Sequence, residues 1–201
     1  TDRFIFLEEG DLVDVRADSI AVWNVDDETV VRSTVRVEQA FDEVDKGNYR
    51  HHMQHEIHEQ PRVIRDTLEG RIGGTRVLER AFGVGAAKVL DDTKNVTITA
   101  CGTAYYAACI ARNWIERIVG IPCEVEIASE WRYRSVVVRQ EGSLFITVSQ
   151  SGETADTLAA LRVAKEIGYA HTLTVCNVPT SSLVRESDLA IMLHAGPEIG
   201  V

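Results

Sequence analysis

Apolar and polar residues change rhythm more than once along this chain. In the first 32 residues the apolar positions come in short, β-branched runs at 4–7, 12–16, 20–24 and 29–32. Glu9-Gly10-Asp11 and Asp26-Asp27-Glu28 separate the runs as turns, so the pattern predicts short strands. Four such strands cannot bury both faces of a sheet alone, and this piece is expected to be the edge of something larger. Residues 33–48 are polar and acidic, close with Asp45-Lys46-Gly47-Asn48, and read as a linker. Residues 49–60 predict a helix. Pro61 is expected to open a second helix to about residue 69, because proline is best tolerated in a first helical turn. Gly70, Gly73 and Gly74 break that pattern, and the segment to about residue 92 has no clear period.

From residue 95 onward strand and helix periods alternate. Strands are expected at 95–100, 124–128, 144–148, 171–176 and 189–194. Helices are expected at 103–119, 129–134, 154–167 and 181–186. The first of these helices carries Ile110, Trp114 and Ile118 at four-residue spacing and stops at Gly120 and Pro122. Five strands alternating with helices imply a parallel sheet covered on both faces. Right-handed crossovers then give an α/β fold, a doubly wound, flavodoxin-like five-stranded layer.

Composition adds bounds. The chain has 201 residues, 45% of them hydrophobic, enough for a full domain with an appendage. A net charge of −10 disfavours non-specific nucleic-acid binding, which needs cations to displace counterions. The four cysteines (Cys101, Cys109, Cys123, Cys176) form no C-x-x-C pair, and reduced, buried thiols of a cytosolic protein are expected. No apolar run approaches the ~18 residues that span a bilayer. Thr1-Asp2-Arg3-Phe4 is no charged-then-apolar leader, and the chain reads as entered in mid-domain.

The chemistry gathers at two strand ends. Ser149-Gln150-Ser151-Gly152-Glu153-Thr154 follows the third strand of the layer and runs straight into a helix. Such a junction presents free N–H groups and the positive end of a helix dipole, a natural seat for phosphate. The loop has no Lys or Arg, which favours a small phosphate ester over a triphosphate. Cys101-Gly102-Thr103-Ala104 follows the first strand in the same way. In a doubly wound sheet these two ends flank the switch point where ligands bind. The plainer reading makes the same Ser, Gly and Thr into caps and turns. Glu153 reads as an acid in a first helical turn, stabilised by the dipole, and Cys101 as a small residue at a strand end. His51, His52, His55 and His58 cluster on the first helix. His55-Glu56-Ile57-His58 is one residue short of H-E-x-x-H, so a partly exposed surface is expected there, not a metal site.

The order of motifs resembles a known family. It runs from Asp45-Lys46-Gly47-Asn48-Tyr49-Arg50-His51-His52-Met53, Glu56-Ile57 and Glu59-Gln60-Pro61 to Ala100-Cys101-Gly102-Thr103 and Glu126-Ile127-Ala128-Ser129-Glu130. Arg132-Tyr133-Arg134, the Ser149–Thr157 stretch, Cys176-Asn177-Val178, Ser182-Leu183, Arg185-Glu186 and Ala195-Gly196-Pro197-Glu198-Ile199-Gly200-Val201 complete it. This set is similar to that of the isomerising glutamine–fructose-6-phosphate aminotransferases, the glucosamine-6-phosphate synthases. Phe6-Leu7-Glu8-Glu9-Gly10-Asp11 resembles the end of that family's glutaminase domain.

The resemblance implies an enzyme whose glutaminase domain frees ammonia from glutamine and whose two sugar isomerase (SIS) domains make glucosamine 6-phosphate from fructose 6-phosphate. It implies that 1–32 is a β-rich remnant of an Ntn-hydrolase-type glutaminase domain, 33–48 a linker, 49–92 a helical lead-in and 93–201 the first SIS domain. Ser149, Gln150, Ser151 and Thr154 would hold the sugar phosphate, with Gly102 and Thr103 nearby and Val201 where backbone approaches the sugar. No cofactor, metal, membrane or nucleic acid is implied, and glutamine would enter only through the glutaminase part. A homo-oligomer in the cytoplasm is implied.

The chain also departs from the family. Ala104 stands where the family usually has a phosphate-binding Ser, so weakened binding is expected. His52, His55 and His58 stand where it often has Tyr or Lys. The second SIS domain carries the family's proton-transfer groups, so this chain is expected to hold the sugar phosphate and to be inactive alone, with no catalytic residue of its own. The alternatives are a non-catalytic SIS-type regulatory module and a flavodoxin-like nucleotide binder. The first would show a basic helix-turn-helix and the second a G-x-G-x-x-G, and the chain has neither.

Overall fold

The computed structural model describes residues 3–36, 46–134 and 141–200, and the chain divides into two units, Thr1–Asp45 and Lys46–Val201. In the first unit β1 (Arg3–Ile5) pairs antiparallel with a strand at Thr34–Arg36. Between them β2 (Leu12–Val15), β3 (Ile20–Trp23) and β4 (Thr29–Val30) form an antiparallel meander, and Thr34–Arg36 is then β5. The expected linker from residue 33 is corrected at its start, because backbone pairing with β1 outweighs the polar composition of 34–36. The stretch 37–45 lies outside the described residues. Among the described residues of this unit Val22 is the buried hydrophobic one, while Leu12, Val15, Ile20 and Val31 are exposed. The Asp11 carboxylate accepts two bonds from Arg32 (2.9 and 2.8 Å) and one from the Glu8 N–H (2.8 Å), which holds its carboxyl below the usual range.

The second unit opens with α1 (His52–Leu68), one continuous helix with Pro61 inside it. The expected break at Pro61 is therefore corrected. Proline removes one helical hydrogen bond, but Arg62 pairs with both Glu59 and Asp66 and ties the turns on either side. Next come the hairpin β6 (Ile72–Gly73) and β7 (Arg76–Val77), then α2 (Ala86–Asp92).

The sheet follows. Its strands are β8 (Asn95–Ala100), β9 (Cys123–Ile127), β10 (Ser143–Ser149), β11 (His171–Cys176) and β12 (Leu189–Met192). The helices between them are α3 (Gly102–Trp114), α4 (Ala128–Trp131), α5 (Ala155–Glu166) and α6 (Ser182–Glu186). All five strands are parallel in the order β12-β11-β10-β8-β9, the flavodoxin-like order, with its switch point between β8 and β10.

One face of the sheet is aliphatic. Val96, Ile98, Leu144, Leu173 and Leu189 pack with Ala86 of α2 and Ala108 of α3. The other face alternates threonines with Phe145 and is covered by α4, α5 and α6 through Trp131, Ala160, Leu161, Ala164 and Leu183. Trp131 and Phe145 rings lie 4.7 Å apart, and burying each such side chain contributes ~1.5–3 kcal/mol. Core hydroxyls on this face find partners: Thr97 with Tyr169 (2.9 Å), Thr147 with Thr174 (2.9 Å), Thr172 with Asp188 (2.8 Å). The Thr99 hydroxyl has none among the described residues. Helix α5 buries Thr157, Ala160, Leu161 and Ala164, the i, i+3, i+4, i+7 stripe.

Helix α3 is turned the other way from its apolar pattern. Tyr106, Ile110, Trp114 and Ile118 are exposed, and the helix meets the core through Ala108, Ala111 and Ile115. Small residues let it approach the sheet closely. Its last turn widens into a π-helical turn, Ile115–Val119, before Gly120. Among the described residues no helix is long and apolar enough to cross a membrane. All four cysteines are free, Cys123 and Cys176 are buried, and burial pushes the Cys123 thiol up to about 11.

Candidate functional site

Strands β8 and β10 are hydrogen-bonded neighbours, with Val148 opposite Ala100, so the loops leaving their carboxyl ends lie side by side. The Thr157 hydroxyl, in the first turn of α5, reaches the Cys101 sulfur at 3.9 Å and ties one loop to the other. The structure therefore brings Gly102 and Thr103 together with the Ser149–Thr154 turn. Gly102 adopts a left-handed φ of 57° as the chain turns from β8 into α3; the space beside it is open, so it is the backbone conformation that favours glycine there. Thr103 is exposed in the first turn of α3.

The Ser149–Thr154 turn is closed by its own groups. The Ser149 Oγ accepts the Gly152 N–H (3.1 Å) and meets the Thr154 Oγ1 at 3.2 Å. Ser151 Oγ accepts the Glu153 N–H (3.2 Å). Thr154 is the N-cap of α5, yet its side chain makes no cap bond. Its hydroxyl faces Ser149 instead. Two hydroxyls own two protons and their mutual bond uses one, which leaves a donor for an incoming oxygen. The first-turn N–H groups of α5 have no intrahelical acceptor and add to it. A hydroxyl pair and a helix head without Lys or Arg suit a phosphate monoester held by hydrogen bonds.

Gly152 makes the turn possible. Its φ is 68°, and a Cβ there would come 2.1 Å from Ser181 Oγ and 2.7 Å from Cys176 Sγ. Glu153 is a correction to the sequence reading. It precedes the α5 N-cap, and its carboxylate accepts the Ser182 N–H (2.7 Å) at the head of α6; the acid in the first turn of α5 is Asp156. Asp156 is paired with Arg132 at 2.7 Å. Cys101 is half-buried at the end of β8. Val201 lies outside the described residues.

Beside Gln150 is a pocket of about 170 Å³. Helix α1 lines it with Glu56, Glu59, Gln60 and Val63, and residues Ala195–Glu198 line it with their chain. The Gln150 carbonyl accepts the Asn177 N–H (3.1 Å). Glu56 and Asn177 are residues to which sequence reasoning assigned no role. Each stood within a recognised motif, but spacing along the chain carries no sign that α1 and the end of β11 converge on one segment.

The histidine cluster is a stacked surface. The Tyr49 ring lies over His55 (5.5 Å) and His58 (5.0 Å), and His55 Nε2 is 3.6 Å from Glu59. Among the described residues no group of three His, Cys, Asp or Glu side chains comes together to hold a metal.

Comparison with known proteins adds to this geometry. Residues 89–201 match the SIS domain family. Over all 201 residues the chain is 57% identical to a glutamine–fructose-6-phosphate aminotransferase [isomerizing] of Pseudomonas syringae pv. tomato, and 51% identical to one of Idiomarina loihiensis. It spans 33% of the length of each, a third of these curated relatives. The solved C-terminal domain of the glucosamine-fructose-6-phosphate aminotransferase of Francisella tularensis superposes with a TM-score of 0.75 at 48% identity, covering 78% of this chain and 44% of that one. The structure of a putative phosphosugar isomerase from Silicibacter pomeroyi gives a TM-score of 0.58 at 27% identity, covering 73% of this chain and 42% of that one.

Proposed function

The chain belongs to the SIS domain family, and from that premise we propose that it supplies the sugar-phosphate site of an isomerising glutamine–fructose-6-phosphate aminotransferase. The observation that carries the reading is the pair of hydroxyls, Ser149 and Thr154, 3.2 Å apart at the head of α5. The phosphate of fructose 6-phosphate would lie against these hydroxyls, Ser151 and the first N–H groups of α5. Gln150 borders the adjoining pocket, and Gly102 and Thr103 close the site from the head of α3. Val201 would bring backbone to the sugar. The residues here bind and orient the phosphate end. Ammonia release and proton transfer are assigned to other parts of such an enzyme.

In this reading the stretch through β5, 1–36, is the end of a glutaminase domain, the remainder to 48 leads out of it, 49–92 leads in, and 93–201 is the first SIS domain. A homo-oligomer in the cytoplasm, with glucosamine 6-phosphate as product, goes with it. The 57% identity over the whole chain supports the assignment. Calorimetric titration with fructose 6-phosphate and glucosamine 6-phosphate tests it. Binding of both is expected, and no heat from either sugar at millimolar concentration would overturn it.

A further inference from the structure

Residues 193–200, which leave β12, have no regular secondary structure; the Leu193 N–H still bonds the Cys176 carbonyl (2.7 Å), and beyond it backbone groups of the segment pair with side chains. They do so at a few points. Arg71 donates to the Met192 carbonyl at the start of the segment. The Thr67 hydroxyl accepts the His194 N–H (3.0 Å). Asn177 holds both sides of the next step, its Oδ1 accepting the Ala195 N–H (2.9 Å) and its Nδ2 donating to the Gly196 carbonyl (2.6 Å). Glu56 completes the series: its Oε1 accepts the N–H groups of both Ile199 (2.9 Å) and Gly200 (2.8 Å). These two donors, Gly200 first, hold the Glu56 carboxyl below the usual range, so the acceptor is an anion and the bonds are charge-assisted.

Gly200 is the steric half of the same contact. A Cβ there would come 2.6 Å from Glu56 Oε2 and 3.0 Å from Met53 Cα. The carboxylate can swing aside, but the Met53 backbone would have to give by a few tenths of an ångström, so a side chain at position 200 would push the segment away from α1. The pocket beside Gln150 lies between this segment and α1, and Asn177 joins the segment to the Gln150 carbonyl.

We propose that Glu56 is a positioning residue for the sugar end of the ligand, fixing the Ile199–Gly200 backbone against α1 so that the pocket beside Gln150 keeps its shape. The proposal rests on the reading of the Ser149–Thr154 turn as a phosphate cradle and says where the remainder of that ligand is held. Glu56 acts through backbone and not by touching the phosphate. Its loss therefore weakens recognition of the sugar and spares recognition of the phosphate.

The test is calorimetric titration of the full-length protein with fructose 6-phosphate, repeated with inorganic phosphate as competitor. Glu56→Ala and Gly200→Ala are expected to weaken fructose 6-phosphate roughly tenfold or more, with the competing strength of phosphate changed by less than about twofold. Glu56→Gln keeps an oxygen acceptor and is expected to recover most of the loss. Ser149→Ala is expected to weaken both ligands together. If Glu56→Ala fails to fold, Glu56→Gln and Gly200→Ala carry the comparison. Sugar binding unchanged in Glu56→Ala and Gly200→Ala, or phosphate weakened as much as sugar, overturns the positioning role and leaves the cradle standing. A wild type in which phosphate does not compete, or a Ser149→Ala variant that binds like wild type, overturns the cradle and the proposal with it.

Discussion

Ser149 and Thr154 face each other with their hydroxyl oxygens 3.2 Å apart, across the turn that joins β10 to α5. Thr154 spends no bond on capping its own helix. If this pair holds a phosphate, Thr154→Ala removes one donor and costs about 1.5–3 kcal/mol, the worth of a hydrogen bond to a charged group. Calorimetry with fructose 6-phosphate should show affinity falling roughly tenfold or more. Thr154→Ser keeps the hydroxyl and should stay within about threefold of wild type. Equal affinity of wild type and Thr154→Ala would sink the assignment.

Gly152 answers to shape. Gly152→Ala places a Cβ 2.1 Å from Ser181 Oγ at a φ of 68°. Strain of both kinds is expected to cost about 2–4 kcal/mol of stability. Urea unfolding should show a lower midpoint with an unchanged slope. A midpoint equal to wild type would mean that the turn is looser than its geometry.

Ala104 lies in the first turn of α3, at the position where the resemblance led us to expect a phosphate-binding serine. Restoring the hydroxyl with Ala104→Ser is expected to tighten fructose 6-phosphate binding, by roughly three- to tenfold. A variant with unchanged or weaker binding would show that the head of α3 is not within reach of the phosphate.

Glu186 joins α6 to α5, accepting two bonds from Arg162 (3.0 and 2.9 Å), and that pairing holds its carboxyl below the ordinary 4.5. A carboxyl depressed in the folded state binds its proton more readily when unfolded, so it stabilises the fold above the ordinary value. That contribution drains away as pH falls below 4.5 and through the folded pKa. The pair is partly exposed, so Glu186→Gln is expected to cost only a few tenths to about 1 kcal/mol at pH 7. The difference should vanish in strong acid. Unfolding curves of the two proteins that stay parallel from pH 7 to pH 2 would refute the linkage.

Much of the sheet was legible because its signals are local. The apolar and threonine-rich runs of β8, β10 and β11, Gly120 after the helix of α3 and Gly168 after α5, and the hydroxyl turn at 149–154 are all written in consecutive residues. The helix across Pro61 was not legible, because proline reads locally as a helix start, while the Glu59–Arg62 pair that spans it forms only once the helix runs through. Glu153 was misread for a related reason: its partner, the Ser182 N–H, is near in space and 29 residues away in sequence.

The sequence by itself determined the parallel layer and the two hydroxyl- and glycine-bearing loops that leave β8 and β10, since alternation and turn residues act over a few neighbours. Only the tertiary structure decided which face of α3 is inside. Ile110, Trp114 and Ile118 form the stronger stripe, yet Ala108, Ala111 and Ile115 meet the sheet. Close approach to the strands favours small side chains there, and no rule of periodicity knows what the helix will pack against. Tertiary structure alone also brought Glu56 of α1 to the backbone of Ile199 and Gly200. Contacts between residues 143 and 144 positions apart depend on how the whole chain folds back on itself, which a linear pattern does not contain.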